Sequence, residues 1–201
     1  MSALGMEFLF RIVALDRDLG EAAPFPGIVT NRWVQVGHAE VMYLQPGLRG
    51  GVATYKLLRL ANDNTVLYLG GCWHRQFSML AILMRWLGLC RPRCVVIEPN
   101  GEFAPGAMQI KAKRKRVYIS IARCLGLYRD VLWQASSDFE AEDIRRLFPM
   151  AQNIDVTGVL PSLQGSCNDK SDNAVAAGAV TTAGGDLQPR ERTHKRPGNL
   201  R

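Results

Sequence analysis

The chain has 201 residues, 47% of them hydrophobic and 21% charged, with a formal net charge of +7 and a pI near 9.4. That is the profile of a globular chain rather than a disordered one, with room for one domain or for one domain and a tail. The positive balance suits anionic partners of three kinds (phosphorylated substrates, anionic lipid surfaces, nucleic acid) and does not choose among them.

The most apolar run, residues 77–89, is too short to span a bilayer and carries Arg85, so it predicts a buried helix. Met1 opens no signal-peptide pattern. The five cysteines (Cys72, Cys90, Cys94, Cys124, Cys167) have no paired spacing and no histidine near enough to complete a zinc pattern, which fits reduced thiols partly in a core.

In chain order, residues 7–15 predict a strand that ends at Asp16-Arg17-Asp18 and a Pro/Gly-rich loop. Residues 33–36 and 39–44 predict a hairpin about Gly37-His38, and Gly47, Gly50 and Gly51 a turn. A short helix follows over 52–61, then a strand over 65–69 that runs into Gly70-Gly71-Cys72-Trp73-His74. After the apolar helix comes Cys94-Val95-Val96-Ile97, a β-branched run that reads as a strand buried on both faces. Pro99, Gly101, Pro105 and Gly106 turn the chain after it.

Residues 107–127 predict a basic amphipathic helix whose apolar stripe is Val117, Ile121 and Leu125, with Tyr118 and Ala122 beside it. A strand over 130–135 is followed by Ser137-Asp138-Phe139-Glu140, the spacing of a capping box, and by a helix with Ile144, Leu147 and Phe148 on its core side. Residues 153–156 are a last strand candidate. From about residue 163 the chain turns to Gly, Ala, Ser, Thr and Asn and reads as a flexible linker, ending in a basic segment over 188–201.

Strands alternating with helices predict a parallel α/β sheet, in which the polar segments after Leu15, Leu69, Ile97 and Ala135 gather on one edge. In such folds that carboxyl edge is where a ligand binds. The candidate contacts there are Gly70, Gly71, Asn100, Gly101 and Ser136. His74 reads either as a proton acceptor for a hydroxyl or as a surface-loop histidine. Glu102 reads either as a sugar-hydroxyl partner or as a carboxylate favoured at a helix start. Ser137 and Glu140 read mainly as a helix cap. Asp16 and Asp18 have the spacing of a metal-binding pair, a spacing common by chance, and no metal site is assigned. Lys111, Lys113, Arg114, Lys115 and Arg116 read as a solvated helix face or as a patch for an anionic membrane surface. Nucleic acid is disfavoured because no aromatic residues interleave them.

The run from Val95 to Pro161 resembles the amino-terminal half of family 4 glycosyltransferases of the GT-B type. The likeness lies in Pro99-Asn100-Gly101-Glu102-Phe103, Ala104-Pro105-Gly106-Ala107-Met108, the Lys111–Arg116 helix, and Ala135-Ser136-Ser137-Asp138-Phe139-Glu140. Asp16-Arg17-Asp18-Leu19-Gly20 with Pro26-Gly27-Ile28 and Trp33 extends it, so that it covers roughly residues 4–161. Asn100 stands where the family pattern has arginine.

The resemblance implies a Rossmann-like parallel sheet flanked by helices, one half of a GT-B fold, over residues 1–161, with a flexible tail over 162–201. It implies that the complete enzyme transfers a sugar from a nucleotide sugar to a glycan or lipid-linked acceptor, with retention and without an essential metal or cofactor, in surface polysaccharide synthesis. His74 and Glu102 are its catalytic candidates. It further implies a cytoplasmic protein, peripheral at the inner face of the membrane, whose donor-binding domain and first central strand are missing from this chain. On that reading the chain alone is inactive, and the strands at Phe8 and Val66 lack their shared neighbour. The alternative is a non-enzymatic α/β module that binds an anionic surface or partner through its basic helix.

Overall fold

The structure, a computed structural model, describes residues 8–18, 20–157 and 179–183, the last five as backbone. The expectations for Cys167 and for the basic segment over 188–201 lie outside these residues. The strands are β1 (Phe8–Leu15), β2 (Trp33–Val36), β3 (Ala39–Leu44), β4 (Thr65–Gly70), β5 (Cys94–Glu98), β6 (Leu132–Ala135), β7 (Ile154–Val156) and β8 (Ala179–Ala183). They form one sheet in the order β2-β3-β1-β8-β4-β5-β6-β7. β4, β5, β6 and β7 are all parallel, with helices flanking them, which is the α/β arrangement expected. β1 runs parallel to β3, and β2 closes the predicted hairpin at the sheet margin.

The centre of the sheet departs from expectation. β1 and β4 do not pair with each other; β8 lies between them, antiparallel to both. Composition assigns these five residues to a linker, yet their backbone completes the ladder: Thr181 stands opposite Phe10 on one side and Val66 on the other. The vacant place foreseen between the strands at Phe8 and Val66 is thus filled from the tail. A short Ala-Val-Thr-Thr-Ala run carries too weak a pattern to be singled out by periodicity, but a strand with neighbours on both sides satisfies its amides and carbonyls wherever it comes from.

Helix α1 (Leu48–Leu58) starts four residues earlier than predicted and runs through Gly50 and Gly51. Gly50 is buried where a Cβ would collide with the Gln45 carbonyl, so this glycine serves close packing rather than a turn. The predicted apolar helix is a π-helical turn over Arg75–Met79 followed by α2 (Leu80–Trp86). The single basic helix predicted over 107–127 is divided into α3 (Pro105–Gln109) and α4 (Ala112–Cys124), with Lys111 left-handed at φ 55° between them. Helix α5 (Asp138–Leu147) begins at the predicted cap, Ser137, whose Oγ accepts from Glu140 N.

The main core packs Leu67, Leu69, Val95, Ile97, Trp133 and Ala135 from the sheet against Ile82, Phe103, Ala122, Ile144 and Phe148. A smaller core of Val13, Met42, Leu44 and Phe77 underlies β1 and β3. Helix α4 turns Ile119 and Ala122 inward. Of the apolar stripe named from the sequence, Val117, Ile121 and Leu125 lie on the outside, 59%, 50% and 45% exposed. A period near four defines a stripe but not its direction. The Tyr118–Ile119–Ala122 side won the core because Tyr118 is held by Trp73 and by the hydroxyl of Tyr128. Among the described residues no helix is long and apolar enough to cross a membrane.

Candidate functional site

Because β1, β3, β4, β5, β6 and β7 all point the same way, the loops that follow them meet at one edge. The polar segments after Leu15, Leu69, Ile97 and Ala135 therefore gather as the sequence predicts. Two carboxylates tie three of these loops together.

The first is Glu102, in the loop after β5. Its Oε2 accepts from the Cys72 amide in the loop after β4. Gly71, at φ 104°, donates its own amide to the Glu98 carbonyl at 2.7 Å, and a Cβ there would lie 2.9 Å from Glu102 Oε1. Only glycine suits that approach and that φ. Burial raises the Glu102 pKa, while the amides of Cys72 and Trp73 and the nearby Lys115 act against the rise.

The second is Glu140, which is 5% exposed on α5. Its Oε1 accepts from Gly101 N at 2.6 Å, and its Oε2 accepts from both Ser136 N and Ser136 Oγ at 2.8 Å. This differs from the reciprocal capping box that the spacing suggests. The serine half forms at Ser137, but the carboxylate reaches one residue further back and across to the next loop. The S-x-x-E signal located Glu140; only the tertiary arrangement shows that it joins β5 to β6.

Asn100, at φ 52°, and Gly101 are exposed on this rim, with Gly70, His74 and Ser136 half-buried beside them. All five acceptor candidates (Gly70, Gly71, Asn100, Gly101, Ser136) and both catalytic candidates (His74, Glu102) lie along these stapled loops. Lys115 is not a free surface cation. Its Nζ donates to the Ala107 carbonyl at 2.8 Å and stands 5.0 Å from the centre of the Trp73 ring. Lys111, Lys113, Arg114 and Arg116 are exposed. Trp73 and Lys115, whose roles here no sequence motif announced, brace the start of α4 against the loop after β4.

His74 begins the π-helical turn. Its Nδ1 accepts from Phe77 N at 3.3 Å and its ring stacks on Phe77 at 4.6 Å. The tautomer inferred from that bond carries its proton on Nε2. The imidazole can therefore donate to a hydroxyl but holds no free lone pair with which to deprotonate one. Burial lowers its pKa from the ordinary 6.5. A depressed folded-state value means that the unfolded chain takes up the proton first, so the stability due to neutral His74 is complete above about pH 6.5 and is lost as pH falls through the lower folded value. His74→Asn keeps a capping oxygen and removes the titration. The wild type is expected to lose more melting temperature than His74→Asn between pH 7.5 and pH 5.5. Parallel losses in calorimetric melts of the two would contradict this.

Asp16 and Asp18 do not form a metal-binding pair. Asp16 is fully buried and accepts from Arg17 Nε at 2.8 Å and from Nη2 at 3.1 Å, whereas Asp18 is exposed. No cluster of three or more His, Cys, Asp or Glu suited to a metal ion occurs among the described residues.

Comparisons with family models, curated proteins and solved structures returned no significant match for this chain.

Proposed function

We propose that the chain is the acceptor-side domain of a sugar-transferring enzyme of the family 4 glycosyltransferase type, with the carboxyl edge of the sheet as one wall of its cleft. The observation that carries this reading is the pair of carboxylate staples. Glu102 and Glu140 hold the loops after β4, β5 and β6 as one rim whose polar groups are fixed before any ligand arrives. A rim set in advance loses little entropy when a polyhydroxylated ligand settles on it. The order and spacing of the motifs between Val95 and Pro161 support the same reading.

In this proposal Asn100 and the Nε2–H of His74 hydrogen-bond acceptor hydroxyls, and Gly70, Gly101 and Ser136 shape the floor. Glu102 acts as a positioning residue, because its carboxylate is already engaged by backbone amides. The nucleotide sugar binds a separate donor domain, as the resemblance implies, and the acceptor is a glycan, free or lipid-linked.

Calorimetric titration with oligosaccharides, free and carried on a polyisoprenyl diphosphate, tests the proposal. At least one of them is expected to bind, and Asn100→Ala and His74→Phe are each expected to weaken it roughly tenfold, the worth of about one hydrogen bond. No binding across the panel, or unchanged affinity in both variants, would refute the acceptor wall.

A further inference from the structure

Helices α2 and α4 lie side by side, with Trp86 Nε1 of α2 donating to the Leu125 carbonyl just past the end of α4 at 2.9 Å. Both helices carry exposed apolar residues on their outer surface. Leu83, Trp86 and Leu87 are 43%, 45% and 53% exposed, next to the exposed stripe of Val117, Ile121 and Leu125, and Ile110 is 65% exposed where α3 gives way to α4. Singly exposed apolar residues are ordinary; six on two adjoining helices and their C-caps, with Ile110 just before α4, are not.

Charge marks the same region. Residues 75–97 and 103–129 contain eleven of the chain's 25 Lys and Arg and none of its 18 Asp and Glu. The remaining residues are therefore net negative, at −4 against the whole chain's +7. Lys113, Arg114, Arg116 and Arg123 are exposed on α4 itself and Lys111 just before it, and Lys113 and Arg114 adjoin an open surface patch that includes Val117, Tyr118 and Ile121.

We infer that this two-helix face docks on an anionic phospholipid leaflet, with the α4 cations at the headgroups and Trp86, Val117, Ile121 and Leu125 in the interfacial layer. A protein partner of ordinary composition presents both signs of charge, whereas a leaflet rich in phosphatidylglycerol presents one sign over an apolar interior, matching both halves of this face. A nucleic acid would match the cations but leave the aliphatic stripe in water. The inference does not depend on the acceptor wall; it rests on this face alone.

The test is co-sedimentation of the full chain with vesicles of phosphatidylcholine containing or lacking 40% phosphatidylglycerol, read together with tryptophan emission. The expected result is binding to the anionic vesicles only, with a blue shift that disappears in Trp86→Phe. Lys113→Glu/Arg114→Glu and, separately, Ile121→Asp are each expected to weaken binding at least roughly tenfold. Should Ile121→Asp disturb the circular dichroism spectrum, Val117→Gln/Leu125→Gln replaces it with the same expectation. Absence of binding, as when another part of the chain covers the face, overturns the inference. Binding that the charge reversal weakens but the apolar variants leave intact also overturns it, as does tighter binding to a single-stranded oligonucleotide than to the vesicles.

Discussion

Thr181→Pro is expected to abolish the cooperative fold. Thr181 is the middle residue of β8, opposite Phe10 in β1 and Val66 in β4. A strand with neighbours on both sides uses every amide; proline removes one and leaves its partner carbonyl unpaired, a local cost of about 1–3 kcal/mol. The consequence exceeds that local cost, because among the described residues β8 is the strand that joins the β2-β3-β1 half of the sheet to the β4-β5-β6-β7 half by ladder hydrogen bonds. With it displaced, β1 and β4 each present a row of unpaired backbone groups, a template for pairing with other chains. A domain of ordinary stability, about 5–15 kcal/mol, has little margin for that loss. Thermal melts and sedimentation velocity are expected to show a broad transition and concentration-dependent oligomers. A variant that stays monomeric and melts sharply within about 2 °C of wild type, less than a 1 kcal/mol loss would give, would remove β8 from the centre of the sheet.

Glu140→Ala carries the second-largest expected effect. The carboxylate accepts three hydrogen bonds, from Gly101 N, Ser136 N and Ser136 Oγ, and its residue is 5% exposed. Truncation leaves two backbone amides and a hydroxyl short of their partner and opens a void beneath the rim. Gly101 is exposed and Ser136 half-buried, so water re-pairs part of what is lost, and a loss of about 1–3 kcal/mol is expected from denaturant unfolding. Glu142→Ala, on the exposed side of the same helix, is expected to change stability by less than about 0.5 kcal/mol. Hydrogen exchange gives a local readout as well: the Gly101 and Ser136 amides are expected to exchange faster in Glu140→Ala before the core amides of β5 do. Equal stability of the two variants would mean that the staple is absent.

These two residues also mark how far sequence reasoning reached. β1 through β7 were legible because each is an apolar or β-branched run bounded by turn residues, and Ser137 because a cap has a fixed local spacing. The convergence of loops at the carboxyl edge followed from the alternation of strands with helices. What escaped were features fixed by contacts distant in sequence. Glu140 reaches Gly101, 39 residues away, and nothing local distinguishes that from a reciprocal cap. β8 joins strands far earlier in the chain, and its five residues sit in a stretch whose composition suggests a linker. The direction of the α4 stripe was decided by Trp73 and Tyr128, which pull Tyr118 inward. His74 stands at the edge, but its Nδ1 is engaged by the Phe77 amide, a contact that no local spacing announced.

Both the stability of the rim and the proposed activity depend on a wall of polar groups fixed at the carboxyl edge. Amide-resolved NMR of the full chain during titration with the tightest-binding oligosaccharide tests that claim most directly. Shifts confined to residues 70–74, 100–102 and 136, with the amides of β2 and of the amino-terminal ends of β6 and β7 unmoved, are the predicted result. Shifts centred elsewhere, or a saturating titration that moves none of the rim amides, would contradict it.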